Sequence, residues 1–397
     1  MPGRVRSARR PLAAVIAAGI ALFLAPSCVI TAGLHVVATP NVEKIEFRTT
    51  YTNELTAVAS VSPRDVWSTG ITTVDIYGHV TYQALMLHWD GRTWRIAQTP
   101  GLFRPAEVRD VAAVTANNVW AVGTRAVQDR TGTQVVPLLL HYDGTRWAVV
   151  ALPHLSSWAG LSGIAAVSAG DIWAVGWLQV GAPGLPIAKT VPLTLHFDGR
   201  AWQQVTFPAV AGTSAALAKV AAFGTGAVYA VGGGRSIETP LLGIPSSSRV
   251  AARWDGHAWA LLPLTGVPSD GELRDVAVTG TDVWVVGDRA NAAGPIEALA
   301  WRSHTGGGWT SYRPDPHPRG ILNGVHATSA REIWAAGTPG NDGSGDGVLL
   351  TRWNGQRWQV SFRSPAVPAL RGLADVTTAG GRVFSVGGTT KTLAVQN

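Results

Sequence analysis

Val108-Arg109-Asp110-Val111-Ala112-Ala113-Val114 opens a phrase that continues through Val119-Trp120-Ala121-Val122-Gly123, Leu140-His141-Tyr142-Asp143-Gly144 and Trp147. The phrase returns as Asp171-Ile172-Trp173-Ala174-Val175-Gly176 with Phe197-Asp198-Gly199 and Trp202. It returns again as Asp282-Val283-Trp284-Val285-Val286-Gly287 and as Glu332-Ile333-Trp334-Ala335-Ala336-Gly337. Its first aromatic falls at Trp67, Trp120, Trp173, Tyr229, Trp284, Trp334 and Phe384, at intervals of 50 to 56 residues. Self-similarity at that period marks a stacked or radial array of supersecondary units.

Within the template unit, four short runs rich in Val, Ala, Leu and Trp are separated by Gly, Asp and Asn. None keeps helical spacing for long, and β-branched and aromatic residues dominate. Strands are therefore predicted at Val108–Val114, Val119–Thr124, Val136–Tyr142 and Arg146–Val150. Asp143-Gly144 suits the tight hairpin between the last two, because both residues tolerate positive φ. Four antiparallel strands repeated around an axis describe a β-propeller blade. A linear stack of such sheets leaves two open edges, and a ring leaves none.

Six units are complete, starting near Leu55, Val108, Leu161, Leu217, Leu273 and Leu322. The last begins at Leu373, runs through Val383-Phe384-Ser385-Val386-Gly387 and one more strand at Lys391–Val395, and lacks its outer strand. Val36-Val37-Ala38-Thr39-Pro40 matches Ile96-Ala97-Gln98-Thr99-Pro100, the end of an outer strand. The expected fold is all-β: a seven-bladed propeller of four-stranded antiparallel blades over residues 33–397. An N-terminal strand completes its C-terminal blade.

Only 14% of residues are charged, against about 25% in ordinary domains, and there are 46 Gly and 17 Trp. The net charge of +7 does not indicate nucleic acid. Arg4, Arg6, Arg9 and Arg10 lie in the first 32 residues, which contain no Asp or Glu. Without those four the excess falls to +3, with no basic run. They precede the apolar stretch Leu12–Ala25 and Pro26, so residues 1–32 read as an export segment. Three readings stand side by side: cleavage after Ala32, lipidation of Cys28, and an uncleaved membrane anchor. All three place the propeller outside the cell or on the outer face of the membrane, with membrane contact through this segment alone. One cysteine permits no disulfide framework, and a monomer is expected.

Two units double the glycine of the second strand, Val228-Tyr229-Ala230-Val231-Gly232-Gly233 and Val383-Phe384-Ser385-Val386-Gly387-Gly388. With the later aromatic-Asp-Gly and the Trp beyond it, this resembles the kelch motif over residues 34–397. It is more similar still to a repeat of secreted actinobacterial proteins described as galactose-oxidase-like. The resemblance implies a propeller and fixes no activity. Galactose-oxidase copper chemistry needs a tyrosine cross-linked to cysteine. The sole cysteine, Cys28, lies in the export segment, and Tyr142 and Tyr229 sit on repeat columns. This is not a copper galactose oxidase, and no cofactor or metal is expected.

Fifteen of the 17 tryptophans fall on repeat columns and read as packing between blades. His88, His141 and His196 lie in third strands, about 10 Å out from the innermost strand, and are too far apart to share a metal. A solvent-facing position is expected for them. The links between second and third strands vary in length (Thr124–Val135, Trp177–Val191, Gly233–Ser248), which marks their face as the binding face. Trp158 and Trp177, which the repeat does not require, belong to that face. They read either as a platform for a sugar ring or as a plug between loops.

Counting back from each second-strand aromatic gives an axial column: Ala57, Asp110, Gly163, Lys219, Asp275, Gly324 and Asp375. Asp110, Asp275, Asp375 and Lys219 read as a ligand site facing one central opening near the variable face. In the alternative, each Asp accepts hydrogen bonds from its own strand start. The functional expectation is an exported, non-catalytic binding module for a protein or glycan ligand. An extracellular carbohydrate-active enzyme and a structural envelope protein are the alternatives.

Overall fold

The computed structural model describes residues 35–38 and most of 49–396. Residues 1–34, 39–48, 77–78, 101–104, 131, 156–157, 182–188, 211–213, 225, 233–237, 240–241, 244–248, 290–294, 305–306, 341–346, 364–371, 389–392 and 397 lie outside the described residues. The segment expected to direct export, with Cys28, falls among these, as does most of the link Gly233–Ser248.

Each repeat folds as one antiparallel sheet, because its four runs are short and joined by tight turns. The second blade is typical: Ala106–Thr115, Asn118–Asp129, Gly132–Tyr142 and Trp147–Val149, hydrogen-bonded in that order. Five further sheets repeat the pattern, starting at Thr49, Ala159, Lys219, Gly271 and Gly320. The expected count of seven blades is corrected here: six blades are complete runs of four strands. Among the described residues three strands follow Ala374, and they form a seam that uses both ends of the chain. There Asp375–Ala379, Arg382–Gly387 and Leu393–Gln396 are joined by His35–Ala38, in register from His35↔Gln396 to Ala38↔Leu393. Side chains of the two outer seam strands lie outside the described residues.

Adjacent sheets interlock through the aromatic columns. Trp120 of the second blade tilts onto Phe197 and meets Trp202 of the third edge-on at 5.6 Å. Trp173 meets Trp254 and Trp259 of the fourth in the same way, and Trp284 of the fifth meets Trp353 and Trp358 of the sixth. Phe384 of the seam is packed in one cluster with Trp89 and Trp94 of the first blade, which closes the ring. Offset and edge-on geometry matches each ring's positive rim to its neighbour's negative face.

The histidines that precede the third-strand aromatics also belong to this packing, stacked on one face while His88 and His196 keep 34% and 28% of their side chains exposed. His88, His141 and His196 stack on Trp67, Trp120 and Trp173 with centroids 4.1–4.2 Å apart. Each ring is fixed by a residue at the start of the second strand: Asp65, Asn118 and Asp171 respectively. Arg302 and Arg352 take the same place over Trp284 and Trp334, anchored by Asp282 and Glu332.

The strands on the variable face are longer than expected. In the second blade the pairing runs on past Thr124↔Pro137 to Asp129↔Gly132, so most of the expected loop is a hairpin. Alternation in Arg125-Ala126-Val127-Gln128 and Thr133-Gln134-Val135-Val136 sustains it, with Ala126 and Val135 buried on one side. The first and third blades carry similar extensions, to Ile76↔His79 and Val180↔Lys189. The opposite face has short turns such as Thr115–Asn118.

Candidate functional site at the propeller axis

The innermost strands carry a repeated irregularity that builds the site. Register shifts fall between Leu55 and Ala57, Val108 and Asp110, Leu161 and Gly163, Leu273 and Asp275, and Leu322 and Gly324. The residue inside each shift is a β-bulge: Thr56, Arg109, Ser162, Arg274 and Asn323. A bulge leaves one residue unpaired and re-aims its side chain. All five line a funnel of about 270 Å³ on the hairpin side of the axis, with Glu54 and Lys219. The bulges also explain the glycine that ends each Val-Gly pair. A Cβ on Gly123 would overlap the carbonyl oxygen of Glu107, and one on Gly287 would overlap that of Glu272.

The arginines are held by carboxylates from their own blades. Arg109 Nε and Nη2 donate to the buried Glu107 at 3.2 Å, and Thr124 Oγ1 donates to the same carboxylate. Arg274 Nε donates to Asp288 at 2.6 Å, and its Nη2 donates to Glu272. Asn323 Nδ2 donates to the Leu373 carbonyl of the seam. Ser162 is 7% exposed, and its Oγ has no hydrogen-bond partner among the described residues.

One layer below, the axial column divides as its residue types require. Lys219 Nζ donates to Asp110 Oδ1 at 2.7 Å, while Asp110 Oδ2 accepts from the Ile164 amide of the next blade. Asp275 accepts from its own neighbour Val276 and from Val325 of the next blade. Asp375 does the same with Val376 and with Val58 across the seam. Each aspartate is thus a staple from one blade to the next, beyond the local role expected at its own strand start. Small residues stand beside them for lack of room: a Cβ on Gly163 would crowd Lys219, and one on Gly324 would crowd Asp375.

The sequence-selected residues Asp110, Asp275, Asp375 and Lys219 therefore meet at one cavity, of about 360 Å³, with His326 also on its wall. That cavity runs toward the short turns, and of the four only Lys219 also lines the funnel on the hairpin side. The expectation that the carboxylates face the variable side is corrected accordingly. The bulge gives that side to the preceding residue. Sequence reading missed Arg109, Arg274, Ser162, Asn323 and Thr56. Their one signal is a polar residue of varying type just before the column in an otherwise apolar strand.

Three carboxylates and one ammonium share this buried space. Burial pushes the Asp275 carboxyl up to about 8, and the neighbouring Asp375 and Asp110 add to that against the pull of Lys219. Asp375 rises to about 6 for the same reasons. Burial opposes the charge on Lys219, but Asp110, Asp375 and Asp275 outweigh it and hold its pKa above the usual lysine range. Burial lowers His326 to about 4.

A pH prediction follows. Asp275 binds its proton more tightly in the folded chain than in the unfolded one, so its contribution is full in acid and is lost as pH rises through about 8. His326 acts oppositely, losing stability as pH falls from 6.5 toward 4. Between pH 6.5 and 8 Asp275 dominates, and stability should fall by about 1–2 kcal/mol. Urea unfolding across that window checks this, and Asp275→Asn should flatten the slope.

Trp158 and Trp177 lie together on the hairpin side, as expected of them, but Trp177 is 1% exposed. It is packed in one cluster with Val135 of the second-blade hairpin, Ala216 and Ala218, with Trp158 partly buried against it. It offers no open face to a sugar.

No family model matches the chain, and no curated protein matches it. The kelch-like and galactose-oxidase-like resemblance thus has no family match behind it. Among solved structures, the chain is similar to YCF48 bound to D1 peptide, at 16% identity and TM-score 0.54, over 91% of this chain and 96% of that one. It is similar to YCF48 from Cyanidioschyzon merolae at 13% identity and TM-score 0.53, over 90% and 98%. A gluconolactonase from Xanthomonas campestris aligns at 14% identity over 70% of this chain and 89% of that one, with a TM-score of 0.40. Likeness at these identities shows a β-propeller fold and nothing finer.

Proposed function

We propose that this chain is an exported, non-catalytic binding propeller that engages a protein partner through its hairpin face. The observation that carries this reading is the difference between the two faces. Three long hairpins, from the first, second and third blades, lie on the side where bulged polar residues converge on a funnel. The other face has short turns. Variable elements on a rigid scaffold suit recognition, since the ring supplies the rigidity and the hairpins supply the shape. A protein is favoured over a glycan because Trp177, the best candidate for sugar stacking, is enclosed. YCF48, of similar fold, has been solved with a bound D1 peptide, which supports a peptide-binding use of this architecture. The export part of the proposal rests on the four early arginines and the apolar stretch Leu12–Ala25.

Site-specific photo-cross-linking in producing cells tests the reading. A cross-linker at the exposed Thr133, at the tip of the second-blade hairpin, should capture a discrete partner. One at Arg331, on a short turn of the sixth blade, should not. Adducts from Arg331 alone would overturn the assignment of the face. Recovery of the chain in the cytoplasmic fraction with residues 1–32 intact would overturn export.

A further inference from the structure

We propose that the axial funnel binds a carboxylate of the partner segment, and that a proton is taken up on the Asp275–Asp375 pair as it binds. This rests on the reading of the hairpin side as the binding face, and it names the chemistry at that face's centre.

The donors are in place. Arg109, Arg274 and Lys219 come from three different blades and line one funnel with Ser162 and Asn323. Ser162 is buried with its Oγ unpartnered among the described residues, and an unfilled buried hydroxyl costs free energy that a ligand oxygen repays. Charge-assisted N–H and O–H donors lining one funnel suit an oxyanion. The arginines are also oriented in advance: Asp288 and Glu272 take two of the five donors of Arg274, fixing its plane before a ligand arrives.

The proton follows from what lies underneath. Lys219 lines both the funnel and the lower cavity, so it couples them directly. Its inner face meets Asp110, and Asp275 and Asp375 share the same cavity. The other groups facing that pair are Asp110 and Lys219, the Val325 and Val58 amides, His326, and the hydroxyls of Ser60 and Thr377. Carboxylates already outnumber the ammonium, and another anion brought against Lys219 deepens that excess where the dielectric is low. Protonating one aspartate restores the balance without breaking an inter-blade staple, because a carboxylic acid keeps acceptor capacity. Burial raises Asp275 to about 8 and Asp375 to about 6, so near neutral pH Asp275 already holds its proton and the uptake falls on Asp375. His326 stays neutral there and does not compete.

The test is calorimetric titration of the full chain with three decapeptides. One carries a single internal Glu and an amidated C-terminus. The second has Gln in place of Glu and a free C-terminus, and the third has Gln and an amidated end. Either carboxylate peptide should bind, and which one does identifies the source of the group; the third should not. Affinity should fall roughly tenfold per pH unit between pH 6.5 and 8 for a full proton taken up. Paired buffers of different ionisation enthalpy should report close to one proton per peptide. Ser162→Ala and Arg274→Gln should each weaken binding at least fivefold, with unchanged thermal unfolding for Ser162→Ala. Asp375→Asn, which removes the carboxyl still ionised at neutral pH, should abolish most of the proton uptake and flatten the pH dependence of the remaining affinity. Equal binding of the third peptide, no binding of any, or binding without proton uptake would overturn the proposal. Should that happen while Thr133 still cross-links a partner, the hairpin face stands and only the funnel chemistry is wrong.

Discussion

Asp110→Ala should unfold this protein by about 3–5 kcal/mol more readily than the parent chain, among the largest effects of any single substitution outside the aromatic core. Two groups lose their partner at once. The Lys219 ammonium, 2.7 Å from Asp110 Oδ1, becomes an uncompensated buried charge on that side. The Ile164 amide of the next blade loses its acceptor. Removing one member of a buried pair costs more than the pair itself contributes, because the survivor has already given up its water. The double variant Asp110→Ala with Lys219→Met should recover part of the loss, leaving the orphaned amide as the main cost. Equilibrium unfolding in urea measures all three chains, and equal losses in the single and double variants would show that the ion pair is not the cause.

Trp177→Ala should cost a similar amount, about 3–5 kcal/mol, since large-to-small changes in a close-packed interior lose transfer energy and leave a cavity. Trp177 joins the hairpin of the second blade, through Val135, to Ala216 and Ala218 of the fourth. Its ring lies over Gly160, where a Cβ would collide with the indole. The cost should appear in thermal unfolding, with Trp177→Phe intermediate. Trp158, only partly buried against this cluster, should cost clearly less when cut to Ala. A Trp177→Ala chain of parental stability would mean that the cluster does not support the hairpins.

The sheet order and the seam were legible because repetition amplifies a weak signal. One Val-Trp-Ala-Val-Gly says little, but its return at intervals of 50 to 56 residues, with a matching outer strand displaced to Val36–Pro40, leaves few topologies. The axial column was legible for the same reason, since counting from a repeated aromatic gives each residue's equivalent in every blade. The partners of Asp110, Asp275 and Asp375 were not legible. Each reaches an amide about 50 residues onward, or across the seam to Val58, and periodicity within one strand carries no record of the neighbouring blade.

The sequence by itself determined that this chain is a ring of four-stranded sheets, where the aromatics pack, and which residues stand nearest the axis. Those properties follow from local alternation and from the spacing of equivalent residues, both written along the chain. Only the tertiary structure decided that Arg109, Arg274 and Ser162 enter a funnel while Asp110, Asp275 and Asp375 turn to the opposite cavity. For Arg109, Ser162 and Arg274 a bulge just before the axial residue makes that choice, and strict alternation gives no sign of it. The tertiary structure likewise enclosed Trp177 and extended the hairpins beyond their expected ends. Both outcomes depend on apolar faces from different blades meeting, a free energy that no single repeat contains.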